Sequence, residues 1–415
     1  MKLAISAFLA AYLALPATAK MDLRMLDKYE GANCLDGSAG AYYIEKSATP
    51  STKYQLFFEG GGWCYNDKDC ANRATGDLGS SKNYPAQTDR MGGVASADCD
   101  LNPAFCDFNF VFMKYCDGNS FSGALESTVH IDETEQDLHF RGHYILEAVM
   151  TDLISNEGMD QVTELSLTGC SAGGLSTFLH SDYVQEFVSS QVSQDFKYGA
   201  TPVSGFFLMD RQNVHDEFVM SAQMKTIFEL SNATVGVHQG CIENTDAENQ
   251  WKCNTAPEAL KHIEQPIFVL DSSMDSWQSG CIMTNKAIDY DKTATRDMPN
   301  GLCSQAEGFE DCGGDVGNCN DEQIYSVVEY QGSFVRLLTN AAGYQKDNSG
   351  AFIYPCFTHC AGQDDNSFRG FTVDGTNMST AVNDWWQGVG VNGAVTKSYL
   401  SQIYNLDSSN PNPTC

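Results

Sequence analysis

Residues 164–173, ELSLTGCSAG, run from an apolar stretch of strand length into a turn of small residues, and then into a helical stretch, GGLSTFLHSDYVQEF. A strand that turns this tightly into a helix has no room for bulky side chains two positions either side of the apex. Gly169 and Gly173 hold those two positions around Ser171. The turn constrains the whole chain, because a strand feeding directly into a helix belongs to a layered α/β architecture. Other apolar runs fit that reading. Residues 54–58, 108–115, 205–209 and 266–270 have strand length. Between them, EQDLHFRGHYILEAVMTDLISNEG carries Leu138, Tyr144, Ile145, Ala148 and Leu153 at helical spacing. DEQIYSVVEYQGSFVRLLTNAAG does the same with Ile324, Val327, Val328, Phe334, Leu337 and Leu338. Short apolar strands alternating with helices predict a mostly parallel sheet covered on both faces.

The first residues predict export. Lys2 is the sole charge ahead of an apolar run over residues 3–16, and Ala17-Thr18-Ala19 has the small-x-small pattern of a cleavage site. The reading is a signal peptide over 1–19 followed by a single catalytic domain over 20–415, with no stable membrane insertion. Sixteen cysteines, an even number, fit an oxidising compartment and a disulfide framework. A zinc site on Cys303, Cys312 and Cys319 is the weaker reading, since their spacing lacks the CxxC pattern. Residues 60–107 and 280–322, rich in Cys, Gly and Asp, read as long stapled loops. Asn232-Ala-Thr and Asn377-Met-Ser are glycosylation sequons. With 54 acidic against 24 basic residues the net charge is −30, which repels nucleic acid, anionic lipid and any polyanionic substrate.

Ser171 is inert without a base. On a sheet with this strand-to-helix turn the partners follow in the order serine, acid, histidine. Of the eight histidines, His359 alone follows the last clear strand, in YPCFTHCAGQ between Cys356 and Cys360. The segment IFVLDSSMDSWQ offers two acids, Asp271 and Asp275, and spacing does not choose between them. A strand ending in three glycines, LFFEGGGWCYN, supplies backbone N–H groups for an oxyanion. Cys170 precedes the apex, so its side chain points elsewhere; it is expected to be a buried thiol or a structural half-cystine.

Taken together, FEGGGWC, YCDGNSFSG, FRG, LTGCSAGGLSTFLHSD, DSWQ, CFTHC and NDWW resemble, in order, the pectin acetylesterase and Notum family of carboxylesterases, nearer to the plant-type pectin acetylesterases. The resemblance implies an α/β-hydrolase fold with disulfide-stapled loops and a triad of Ser171, Asp275 and His359. It also implies an oxyanion hole on the backbone of Gly61, Gly62 and Ala172. It implies removal of O-acetyl groups from a polysaccharide such as pectin, with no metal or cofactor required. The alternatives are removal of a fatty acyl group from a lipid-modified protein, and a secreted binding protein without catalysis. Lys68, Arg73, Lys114 and Arg141 lie in or near the shared motifs and are candidates for a basic groove that would receive pectin.

Overall fold

A computed structural model describes residues 20–284, 309, 312, 316–401 and 415. Residues 1–19, expected from the sequence to be a signal peptide, and Cys303 lie outside the described residues. The main sheet is built from β1 (Lys20–Met25), β2 (Ala41–Glu45), β3 (Lys53–Phe58), β4 (Gln87–Asp89) and β5 (Asn109–Met113). It continues, after the small hairpin of β6 (Val129–Ile131) and β7 (Gln136–Leu138), with β8 (Glu164–Cys170), β9 (Lys197–Val203), β10 (Phe268–Ser272) and β11 (Gly350–Tyr354). A second small hairpin, β12 (Thr372–Val373) and β13 (Thr376–Asn377), precedes the edge strand β14 (Tyr399–Leu400). The strand order is β14-β11-β10-β9-β8-β3-β5-β2-β1-β4. From β14 to β5 every pairing is parallel, whereas β2, β1 and β4 pair antiparallel at the far edge. Helices flank both faces, as expected for an α/β-hydrolase fold.

The strands form where they do because their side chains alternate between two cores. Leu56, Phe58, Val111, Leu165, Leu167, Val269 and Ile353 point to one face, against helices that include Gly142–Asn156, Ala172–Gln191 and Asp321–Asn340. Phe57, Phe110, Phe268, Leu270, Phe352 and Tyr354 point to the other, against helix Met378–Gly388. Burial on both faces is why these strands read as continuous apolar runs.

One expected strand moves. Residues 205–209 are not a strand; β9 lies earlier, at Lys197–Val203, where Gly199 and Pro202 obscure the apolar pattern. The apolar run 205–209 is instead a buried loop. Its N–H groups find side-chain partners: Phe206 donates to Asp271 Oδ2 at 3.0 Å and Leu208 to Gln278 Oε1 at 3.0 Å. The cysteines are oxidised in seven disulfides among the described residues, including Cys312–Cys319, which leaves no thiolate there for zinc.

Trp386 locks the second face. Its ring packs against Phe105 and Phe108 at centroid separations of 5.0 and 6.0 Å, and its Nε1 donates to Glu164 Oε2 at 3.0 Å. Trp386→Ala empties this site and strands the Glu164 acceptor. It is expected to cost about 3–5 kcal/mol, read as a lowered urea midpoint with an unchanged denaturant slope.

Candidate active site

The parallel strands deliver their C-terminal ends to one edge of the sheet, where ligands of such sheets bind. Four of the five successive strands β11-β10-β9-β8-β3 each place one part of the candidate site there: β3 the loop 59–63, β8 Ser171, β10 Asp275 and β11 His359.

At the end of β8 the chain turns with Ser171 at φ 62°, ψ −126°, a left-handed backbone that a non-glycine residue adopts only under strain. Its N–H donates to Val203 O at 3.1 Å, and its carbonyl accepts from Leu175 N at 2.9 Å, opening the helix Ala172–Gln191. The flanking glycines are required by contact. A Cβ on Gly173 would lie 2.1 Å from Phe58 O, and one on Gly60 would lie 2.4 Å from Cys170 O and 3.0 Å from Ser171 Cβ. The glycine loop therefore presses directly on the serine.

Asp275 and His359 come together. His359 Nδ1 lies 2.7 Å from Asp275 Oδ2, while Asp275 Oδ1 accepts from Gln278 N at 2.9 Å. The carboxylate accepts, so the imidazole donates a proton from Nδ1 and turns Nε2 away from Asp275. That Nε2 is buried with no hydrogen-bond partner. Asp271 has another task. It accepts from Phe206 N and from Ser272 N at 2.8 Å, and burial beside Asp275 pushes its pKa well up. It anchors the 205–209 loop and does not contact His359.

Cys170, the residue before Ser171, is bonded to Cys360, the residue after His359, with Cα atoms 5.9 Å apart. This resolves the two expectations for Cys170 in favour of the half-cystine. Cys356 bonds to Cys415, so the two cysteines around His359 reach different partners.

The glycine loop is held from behind. Arg73 Nη1 donates to Gly61 O at 2.9 Å, and Tyr115 Oη donates to Gly62 O at 2.8 Å, with the guanidinium 4.9 Å over the tyrosine ring. In a trans peptide the C=O and the following N–H point opposite ways, so Gly62 and Trp63 turn their N–H groups away from these clamps. The N–H groups of Gly61, Gly62, Trp63 and Ala172 have no acceptor among the described residues. Reading the sequence missed the Trp63 N–H and the two clamps. The signal was present: YCDGNSFSG contains Tyr115, and Arg73 closes the short helix after the glycines.

Behind the clamp lies a polar network. Ser120 N donates to Tyr115 Oη, Trp63 Nε1 donates to Ser120 Oγ at 2.7 Å, and His180 Nε2 donates to Ser120 O at 2.9 Å. Burial pushes the pKa of His180 down to about 3, so it is neutral and serves this turn. Trp63, Phe207 and Trp277 pack edge to face, with Trp277 stacked 6.2 Å from the His359 ring.

Each of the four cations named for a basic groove engages another group of the protein. Arg73 is committed to Gly61, and Lys114 is paired with Glu59 and shielded. Arg141 donates to Glu126 O, and Lys68 pairs with Glu133 at 3.5 Å.

A strained serine at a strand-to-helix turn, an acid-held imidazole and a loop of unpaired N–H groups, on the C-terminal edge of this sheet, define a carboxylic ester hydrolase of the α/β class. Comparison with known proteins agrees. The family model described as Pectinacetylesterase matches residues 15–411, and the chain belongs to that family. It is 30% identical over 374 residues to pectin acetylesterase 5 of Arabidopsis thaliana, covering 88% of this chain and 80% of the relative. With pectin acetylesterase 11 of the same plant it shares 28% over 392 residues, 93% and 90% of the two chains. The human palmitoleoyl-protein carboxylesterase NOTUM is 28% identical over 251 residues, 59% of this chain and 49% of the relative.

The cross-link makes a testable claim. Cys170→Ala/Cys360→Ala removes it without leaving a free thiol. Stability is expected to fall by about 2–5 kcal/mol, and esterase kcat to fall while KM changes little, because the link sets the alignment of Ser171 and His359. Equal kcat in the variant and wild type at a temperature where both are folded would refute this alignment role.

Proposed function

We propose that this carboxylesterase is a secreted serine esterase that removes O-acetyl groups from a plant-type polysaccharide such as pectin. In this reading residues 20–415 form one catalytic domain behind a leader over 1–19. Ser171 Oγ attacks the acetyl carbonyl while His359 Nε2 takes its proton and Asp275 stabilises the imidazolium. The negative charge gathers on the carbonyl oxygen facing the N–H groups of Gly61, Gly62 and Ala172, joined by Trp63. The polymer hydroxyl leaves with the proton from His359, and water then releases acetate from the acyl-enzyme by the same steps.

The observation that carries the reading is the 2.7 Å contact of His359 with Asp275 together with the Cys170–Cys360 link, which ties that imidazole to the residue beside Ser171. The short acyl group follows the printed names of the plant relatives. The seven disulfides favour an oxidising destination. The polysaccharide comes from the printed names of the plant relatives.

Two variants test the mechanism. Ser171→Ala is expected to fold and to lose esterase activity by about 10⁴-fold or more; a tenth of wild-type turnover would sink the assignment. Asp275→Asn is expected to cost kcat about 10⁴-fold. Asp271→Asn should lower thermal stability and leave kcat per folded molecule comparatively intact.

Substrate class is tested by chain length and by salt. Nitrophenyl acetate should turn over far faster than nitrophenyl palmitate; the reverse order would favour the lipid-removing alternative. A net charge of −30 with its nearby cations engaged should repel acetylated pectin. Its KM is expected to fall as salt rises from about 0.01 to 0.1 M and the Debye length shrinks from about 30 to 10 Å. KM for neutral acetylated xylan should hold steady.

A further inference from the structure

Ser120 lies in the loop after β5, between the glycine loop and the start of the helix Ala172–Gln191, and at 0% exposure it cannot touch a substrate. Its backbone is left-handed, at φ 49°, and Phe121 beside it has φ 61°. Two successive non-glycine residues in that region cost free energy and persist only where the surroundings over-determine them. The surroundings here do so. Ser120 N donates to Tyr115 Oη at 3.0 Å, and Ser120 O accepts from Ser176 Oγ at 3.1 Å and from His180 Nε2 at 2.9 Å. Ser120 Oγ accepts from Trp63 Nε1 at 2.7 Å and donates to Ala172 O at 3.0 Å.

The protons of this cluster have one arrangement. An indole N–H only donates, so Ser120 Oγ receives from Trp63 and has its own single proton for Ala172 O. In the same way Tyr115 Oη receives from Ser120 N and gives its proton to Gly62 O at 2.8 Å. Two relays therefore meet at one residue. The first runs from Ser120 N through Tyr115 to Gly62 O, and sets the peptide that presents the Trp63 N–H. The second runs from the Trp63 indole through the Ser120 hydroxyl to Ala172 O, the first residue of the helix behind Ser171. Trp63 is thus held at both ends, by its backbone through Tyr115 and by its indole through Ser120.

We propose, on the serine-esterase reading above, that Ser120 is a positioning residue for the oxyanion hole. Its hydroxyl fixes the glycine loop against the turn at Ser171, so that N–H groups from both segments converge on one oxygen. Without it the donors remain, but one half of the hole can shift against the other. A displacement of about 1 Å costs on the order of 10²-fold in rate. The loss falls on the transition state, because these donors act on charge that develops there.

Ser120→Ala and Ser120→Gly both remove the hydroxyl, and glycine also accepts φ 49° without strain. Both are assayed on nitrophenyl acetate below their melting temperatures. In each, kcat/KM is expected to fall about 10- to 100-fold. The companion readout is inhibition by a short alkyl trifluoromethyl ketone. Ser171 Oγ adds to its carbonyl carbon, the serine proton passes to His359, and the resulting oxyanion occupies the hole. Its inhibition constant should rise by the same factor as kcat/KM falls. A variant that only folds less well would lose active molecules and leave that constant unmoved. The acid limb of the pH profile, set by His359, should stay at its wild-type position. Unchanged kcat/KM in folded Ser120→Ala overturns the positioning role. Wild-type activity in Ser120→Gly, or an unmoved inhibition constant in either variant, overturns it as well. Ser171→Ala separates this from the reading beneath it. Retained turnover there refutes the serine esterase itself, whereas lost turnover there beside unaffected Ser120 variants refutes the positioning role alone.

Discussion

The bond between Cys170 and Cys360 is the constraint on which the site depends. Ser171 and His359 come from strands that are not adjacent; β9 and β10 lie between β8 and β11. Their relative position would otherwise rest on two loop conformations. The cross-link fixes the residues next to each side chain, with Cα atoms 5.9 Å apart. It acts with a second restraint, since Asp275 holds the imidazole from the opposite side. The loop that carries His359 is thus tied to β8 by a covalent bond and to the turn after β10 by a charge-assisted hydrogen bond. The proposed site, carried on loops, thereby gains the rigidity that preorganised catalysis would need.

The glycine loop shows the same principle with weaker forces. Glycines let the backbone come within contact of Ser171, but they also free the peptide planes to rotate. Arg73 and Tyr115 remove that freedom by taking the two carbonyls. The cation needed there is consumed internally, and so is Lys114. Arg73 and Lys114 therefore both do structural work beside the site, and of the two only Lys114 is paired with a carboxylate.

Much of this was legible in the sequence. The turn around Ser171 could be read because small residues flank the apex of a strand-to-helix turn, and His359 because it alone among the histidines follows the apolar run 266–270. What escaped reading depends on contacts across the fold. Asp271 and Asp275 are four residues apart on one stretch, and only the placement of Phe206 and His359 separates an anchor from an imidazole partner. β9 was hidden because Gly199 and Pro202 interrupt its pattern, while the buried loop after it imitates a strand. That loop is apolar because it is covered, and its N–H groups are satisfied by side chains distant in sequence.

The disulfides also impose an order of events on the growing chain. Cys170 and Cys360 are separated by 190 residues, whereas Cys64–Cys70, Cys99–Cys106 and Cys241–Cys253 span 6, 7 and 12. At a synthesis rate of roughly 5–20 residues per second, Cys170 waits on the order of ten seconds or more for its partner to emerge. Short loops close faster than long ones because less chain entropy opposes them. The local pairs therefore withdraw their thiols from competition while Cys170, already placed at the end of β8, is left for the latecomer. Closely spaced pairs would thereby act as a sorting device that spares Cys170 for Cys360.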